Sequence, residues 1–172
     1  MGTENIIKDL VKNDQIVKPE KGVKDFFLKK AKNSFAIAKF LFQQEELDTS
    51  MWVINAAYYS MFFAATSYLA AMGKKIKSEI GIHMHTYHAL IYYGSKKIEE
   101  KILEDYRKNY ENAHELLQIA YEKTNDLIDS YRFELNKRKI FTYHMGEEAE
   151  KSKAKTSLDR AQNFILLAEK LL

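Results

Sequence analysis

The sequence has no cysteine, one proline and only six glycines among 172 residues. Without cysteine the chain forms no disulfide, thiol nucleophile, thiolate zinc site or Cys-ligated iron–sulfur cluster. Proline and glycine are too scarce for the many turns of a β-sandwich or barrel. These shortages favour an all-helical chain.

Neither sign of charge dominates, since 27 Lys and Arg stand against 24 Asp and Glu, a net charge of +3. A strong basic field, the usual mark of a nucleic-acid binder, is therefore missing, although a local phosphate-binding patch is compatible with this balance. The most apolar run, residues 51–73, is interrupted by Trp, Tyr, Asn and Ser, which is typical of a buried bundle helix. The first residues lack the apolar core of a signal peptide, so we expect a cytoplasmic protein.

Apolar residues make up 46% of the chain, and they recur every three or four positions, as in helices that are buried on one side. This length and composition suffice for one core. We expect an all-α fold, an antiparallel up-and-down bundle of four to five main helices with short accessory helices. Residues 1–19 would form a short helix and a connection, and residues 20–172 a single domain. The helices are predicted over about 3–12, 20–46, 50–72, 84–93, 112–141 and 154–172.

The segment HMHTYH, residues 83–88, holds three of the five histidines. Imidazole binds zinc and moves protons near neutral pH. If a helix begins near His85, then His85 and His88 share a face and His83 approaches from the preceding loop. A fourth ligand with suitable spacing is missing, so capping or solvated roles stand beside the zinc interpretation.

The segment YENAHELLQ, residues 110–118, contains two incomplete metal motifs. Glu111 and His114 have the Glu-x-x-His spacing of di-iron bundles, but the second such pair is missing. HELLQ differs from the zinc-protease helix motif because Gln118 replaces the second histidine. Neither metal site is predicted, and we expect His114 to be solvated or to cap a helix.

The segment NKRKIFTYHMG, residues 136–146, separates Arg138 from His144 by five residues. On an unbroken helix the two side chains would lie about 120° apart with about 9 Å of rise. They could meet at one phosphate if the helix loosens near His144, or if a second copy brings its own pair alongside. Arginine binds phosphate oxygens and histidine transfers protons, which is the minimum for metal-free RNA cleavage. An ion-paired arginine and a helix-capping histidine are the structural alternative.

Four segments together resemble the HEPN superfamily (higher eukaryotes and prokaryotes nucleotide-binding domain), from about residue 20 to the C-terminus. The resemblance includes the paired tyrosines of a core helix and the family's catalytic pattern of Arg, four to six residues and His. The segments are NAAYYSMFFAATSYLAAMGKKI, HMHTYHALIYYG, NKRKIFTYH and AKTSLDRAQNFILLAEKLL.

This resemblance implies a homodimer whose Arg and His pairs face one cleft, and a metal-independent endoribonuclease without cofactor. His144 would assist proton transfer around the RNA 2′-hydroxyl, and Arg138 would bind the scissile phosphate. The products would be a 2′,3′-cyclic phosphate and a 5′-hydroxyl. The candidate RNA or nucleotide contacts are Lys137, Lys139, Tyr143, His85 and His88.

Two positions depart from the family's pattern. Many active members carry Asn, Asp or His after the arginine, whereas this chain has Lys139. Toxins that a nucleotidyltransferase antitoxin modifies carry a tyrosine two residues after the histidine, where this chain has Gly146. The first departure favours the alternative function, a non-catalytic module that binds nucleotide, RNA or a nucleotidyltransferase partner, and the second argues against that mode of regulation.

Overall fold

The computed structural model describes residues 2–78, 80–94, 103–114 and 147–172. These residues are mostly helical, which confirms the predicted all-α bundle. The expected helix over about 112–141 lies mostly outside them. The elements in chain order are α1 (Thr3–Lys12), β1 (Ile16–Val17), α2 (Val23–Phe42), α3 (Ser50–Ala71), β2 (Lys75–Ile76), α4 (Ile82–Gly94), α5 (103–114) and α6 (Glu147–Leu171).

Helix α3 is the centre of the bundle, as its apolar stripes predict. It packs against α2, α4 and α6, and most of its residues are buried. Several of its small residues, among them Ala57 and Ala64, are fully buried and allow neighbouring helices to approach closely. Burial of its larger side chains supplies much of the hydrophobic driving force for folding.

Helices α2 and α3 run antiparallel, as contacts along both helices show. The Ser67 hydroxyl donates to the Lys24 carbonyl near one end. At the other end the Thr49 hydroxyl donates to the Leu41 carbonyl at 2.7 Å. The connection between the helices is short, which is usual for antiparallel neighbours in a bundle.

Helix α3 ends at Ala71, and Gly73 follows it where the sequence predicted the end of the helix. The Gly73 amide donates to Ala70 and the Lys74 amide to Leu69, the two bonds of a Schellman motif. This motif requires a left-handed residue, and Gly73 has φ +73°. Glycine adopts that conformation without the steric cost that a side chain would add.

The N-terminal segment packs onto the bundle. Ile7 and Leu10 of α1 are buried in the same apolar core as α3, and α1 lies against α4. Strand β1 pairs antiparallel with β2, with Ile16 opposite Ile76. The sequence did not predict this two-stranded ribbon, because two-residue strands carry no measurable periodicity.

A buried polar network joins α5 to α6. The Asn109 side chain, fully buried, donates from Nδ2 to the Ser157 carbonyl at 3.0 Å and lies 3.0 Å from the Met61 sulfur. Arg160 forms an ion pair with Asp105 at 3.2 Å and lies 3.4 Å from Asn109 Oδ1. Buried polar groups are costly unless paired, so this network favours one register of α5 on α6.

Replacing Asn109 by alanine should lower the free energy of unfolding by about 1–3 kcal/mol, because the Ser157 carbonyl loses its buried donor. Urea denaturation measures the loss. Asn55→Ala is the matched control, because the Asn55 amide is partly exposed and, among the residues that the structure describes, bonds within its own helix to the Met51 carbonyl. Equal losses in the two variants would contradict a structural role for the network.

Candidate functional site

The three clustered histidines lie on one helix and point in different directions. Helix α4 begins at Ile82, two residues before the expected start, so His83 does not approach from a loop. Gly81, with φ +72°, precedes the helix, and its carbonyl accepts from the His85 amide. At about 100° per residue, His83 lies on the opposite side of α4 from His85 and His88.

His85 and His88 bind groups of the N-terminal half. His88 Nδ1 lies 3.1 Å from the Thr3 hydroxyl of α1. His85 Nδ1 lies 3.0 Å from Ser78 Oγ, and the Ser78 hydroxyl itself donates to the Ile80 carbonyl. The His85 ring therefore carries its proton on Nδ1 and donates to Ser78. Both rings tie the segments around α4 together, and their predicted contacts with RNA or nucleotide stay predictions.

His83 lies in a group of aromatic side chains where α3, α4 and α5 meet. Its Nδ1 is 2.6 Å from the Tyr58 hydroxyl, and its ring centroid is 4.3 Å from that of Phe62. On α5, Tyr110 and His114 lie close to each other, with ring centroids 4.2 Å apart. We call this set the aromatic–histidine cluster: Tyr58, Tyr59, Phe62, His83, Tyr110 and His114.

Burial controls the charge of the Tyr58–His83 pair within this cluster. It lowers the pKa of His83, and the charge of nearby His114 lowers it further. Burial also raises the pKa of Tyr58, and the neighbouring Tyr106 hydroxyl adds to that rise. Near pH 7 the pair is therefore a neutral imidazole and a neutral phenol. If Tyr58 donates the shared hydrogen bond, the ring proton of His83 is on Nε2.

Such a pair can hold one imidazole in a fixed orientation, with its second ring nitrogen left for a hydrogen bond to another group. It does not form a metal site with its neighbours. Across the part of the chain that the structure describes, no group of three His, Asp or Glu side chains is placed to hold a metal ion. On α5, Glu111 instead pairs with Arg107 at 2.5 Å, and His114 is exposed, as the sequence predicted.

Because burial lowers the pKa of His83, we expect the stability of the protein to depend on pH. A histidine whose pKa in the folded protein lies below 6.5 makes its full contribution to the free energy of unfolding above pH 6.5. This contribution is lost as the pH falls through the pKa of the folded state. Burial lowers the pKa of His88 as well. We expect both rings to titrate below pH 6.5 by NMR, with the midpoint of urea unfolding falling between about pH 7.5 and pH 5. Titration of both rings at or above 6.5 would contradict their burial.

Most of the residues that the sequence singled out for catalysis and RNA binding lie outside the described residues. These are Lys137, Arg138, Lys139, Tyr143 and His144. Their segment precedes α6, which begins at Glu147. The Tyr58–His83 pair was missed for a different reason. Its two residues are 25 positions apart, and only the packing of α4 on α3 brings them together.

No protein-family model matches the chain, and no curated protein matches it. None of the helices described combines the length and apolar content that crossing a membrane requires. Inferences about function therefore rest on the residues and the fold.

Proposed function

We propose that the chain is a HEPN-type, metal-independent endoribonuclease that acts as a homodimer. The observation that carries the proposal is the motif Arg138, five residues, His144, placed directly before the last helix of an all-helical bundle. The central position of α3, which carries the paired Tyr58 and Tyr59, supports the same family. Membership of the HEPN family is part of what we propose.

In the proposed reaction the RNA supplies its own nucleophile. The 2′-oxygen attacks the adjacent phosphorus as its proton is removed, and the bond from phosphorus to the 5′-oxygen breaks as that oxygen gains a proton. His144 takes part in these proton transfers, and Arg138 binds the phosphate oxygens as their charge rises. Lys137, Lys139 and Tyr143 would hold the strand by its phosphates and a base.

A second function has one observation in its favour. Lys139 follows the arginine, where many active members of the family carry Asn, Asp or His. This difference favours a non-catalytic module that binds nucleotide, RNA or a nucleotidyltransferase subunit. If the chain is the toxin of a two-component system, Gly146 argues against control by modification of a tyrosine at that position.

The test is to incubate purified protein with a mixture of labelled RNAs in EDTA, measuring cleavage and binding in the same samples. The proposed nuclease should cut RNA under these conditions. Tight binding of RNA or nucleotide without cleavage of any RNA would favour the second function. Cleavage that appears only after a divalent metal is added would contradict the metal-independent reaction.

A further inference from the structure

The aromatic–histidine cluster has no task in the proposed reaction, although it reaches the surface. Tyr59 is 41% exposed and His114 is exposed, whereas His83 and Tyr110 are half-buried. These side chains come from α3, α4 and α5, so the fold brings them together rather than one local motif. Binding sites for small molecules are commonly lined by aromatic side chains with a few well-placed polar groups.

The exposed rings of this cluster have no stacked partner among the described residues. Within the cluster, the planes of contacting rings meet at angles from 41° to 77°, so none of these pairs is stacked face to face. Tyr59 and His114 meet the ring of His83 nearly edge to face, at 76° and 77°. A flat aromatic ligand would supply the stacked partner that these two rings lack.

His83 adds one polar group in a fixed position. Its Nδ1 lies 2.6 Å from the Tyr58 hydroxyl, and Phe62 packs against its ring. Among the described residues, no group bonds to its second ring nitrogen, which is also not one of the buried polar atoms without a partner. The imidazole therefore offers one nitrogen to a ligand, as a donor or as an acceptor according to its tautomer.

The cluster itself contains no Asp, Glu, Lys or Arg, and the arginine beside it on α5 is already paired. Arg107 bonds to Glu104 and Glu111. A phosphate binds best to cations that are not taken by carboxylates, so the phosphates of a nucleic acid would gain little here. The cluster fits an uncharged planar ring that carries hydrogen-bonding atoms on its edge.

We propose that the aromatic–histidine cluster binds a nucleobase, with Tyr59 and His114 as its stacking partners and the second nitrogen of His83 bonded to its edge. A nucleobase is flat and uncharged, and its edge carries both donors and acceptors, so either tautomer of His83 finds a partner. The inference rests on the proposed function insofar as the base belongs to an unpaired nucleotide of the RNA. It adds a site that holds the base rather than the phosphate.

A nucleoside is the sharpest probe, because it carries a base without a phosphate. NMR follows the ring signals of the five histidines during titration with adenosine, guanosine, cytidine and uridine. We expect saturable shifts of His83 and His114 with at least one nucleoside. His85 and His88 lie on the other side of α4 and should shift little. Adding a 5′-phosphate to the nucleoside, or raising the salt from about 50 to 500 mM, should change the dissociation constant by less than about twofold.

Substitutions locate the site. Tyr59→Ala and His114→Ala should each raise the nucleoside dissociation constant by about 5-fold or more, because each removes one stacking ring. Tyr59→Phe keeps the ring and should recover most of the affinity. His83→Phe removes the polar contact and should weaken binding of the preferred nucleoside most. Tyr92→Ala is the matched control, since Tyr92 is 45% exposed on α4 but contacts Tyr93. Far-UV circular dichroism checks that each variant keeps its helices.

Three results would overturn the inference: no shift of His83 or His114 with any nucleoside, binding that requires the phosphate, and binding that Tyr59→Ala and His114→Ala both leave intact. RNA cleavage is read separately, as the protein concentration that gives half of the maximal single-turnover rate. Tyr59→Ala should raise this concentration by a larger factor than it lowers the maximal rate. Cleavage by a protein that binds no nucleoside would refute the base site alone, and nucleoside binding without cleavage would refute the nuclease alone.

Discussion

Replacing His144 by alanine should reduce the rate of RNA cleavage in EDTA by about 10²- to 10⁴-fold, the usual contribution of one general acid or base. Replacing Arg138 by alanine should reduce it by about 10²- to 10³-fold, because the developing phosphate charge loses its main partner. The rates are measured in single turnover, with protein in excess over RNA. Single turnover separates the cleavage step from product release.

Two further variants make this result specific. Arg138→Lys keeps the charge but loses the two-pronged geometry of the guanidinium, so it should restore only part of the activity. Lys155→Ala is the control for loss of a cation, because Lys155 is an exposed residue of α6 that pairs with Asp159. It should cleave at the wild-type rate. Unchanged cleavage in both His144→Ala and Arg138→Ala would refute the catalytic assignment.

Replacing Tyr106 by alanine should have the largest effect on stability, a loss of about 3–5 kcal/mol, as for other large aromatic residues in cores. Tyr106 is fully buried on α5. Its ring stacks on Tyr87 of α4 and contacts Phe164 of α6, so alanine would leave a cavity where three helices meet. Because a whole domain is stable by only about 5–15 kcal/mol, this variant should be close to unfolding at 37 °C.

Removing only the hydroxyl of Tyr106 should have little effect. That hydroxyl is buried and has no partner with hydrogen-bond geometry among the described residues. Tyr106→Phe should therefore be neutral or slightly stabilising, whereas Tyr58→Phe should cost about 1 kcal/mol by leaving His83 Nδ1 unpaired. Urea denaturation compares the variants. A larger loss for Tyr106→Phe than for Tyr58→Phe would contradict these hydrogen bonds.

Local signals in the sequence predicted most of the described helices, although α6 begins at Glu147, before the expected start near residue 154. The end of α3 was predictable because Gly73 supplies the left-handed residue that the helix end needs. The central position of α3 followed from apolar stripes on more than one side. The pairing of Ile16 with Ile76 was not predictable, because it depends on where α1 and α3 place two short segments.

The candidate site was less accessible to sequence reasoning. Because α4 begins at Ile82, His83 is part of the helix rather than of the preceding loop. Two residues along a helix correspond to about 200°, so the side chain of His83 lies across the helix from that of His85. His83 then meets Tyr58, a partner that no local spacing indicates. The motif of Arg138 and His144 is recognisable from sequence, but its chemistry depends on how close the two side chains come, which spacing does not determine.

The most direct measurement of the central claim is the chemistry of the RNA ends after cleavage in EDTA. The account predicts that wild-type protein leaves a 2′,3′-cyclic phosphate and a 5′-hydroxyl, and that His144→Ala purified in parallel leaves the RNA intact. Intact RNA with the wild-type protein, 5′-phosphate ends, or equal cleavage by His144→Ala would contradict it.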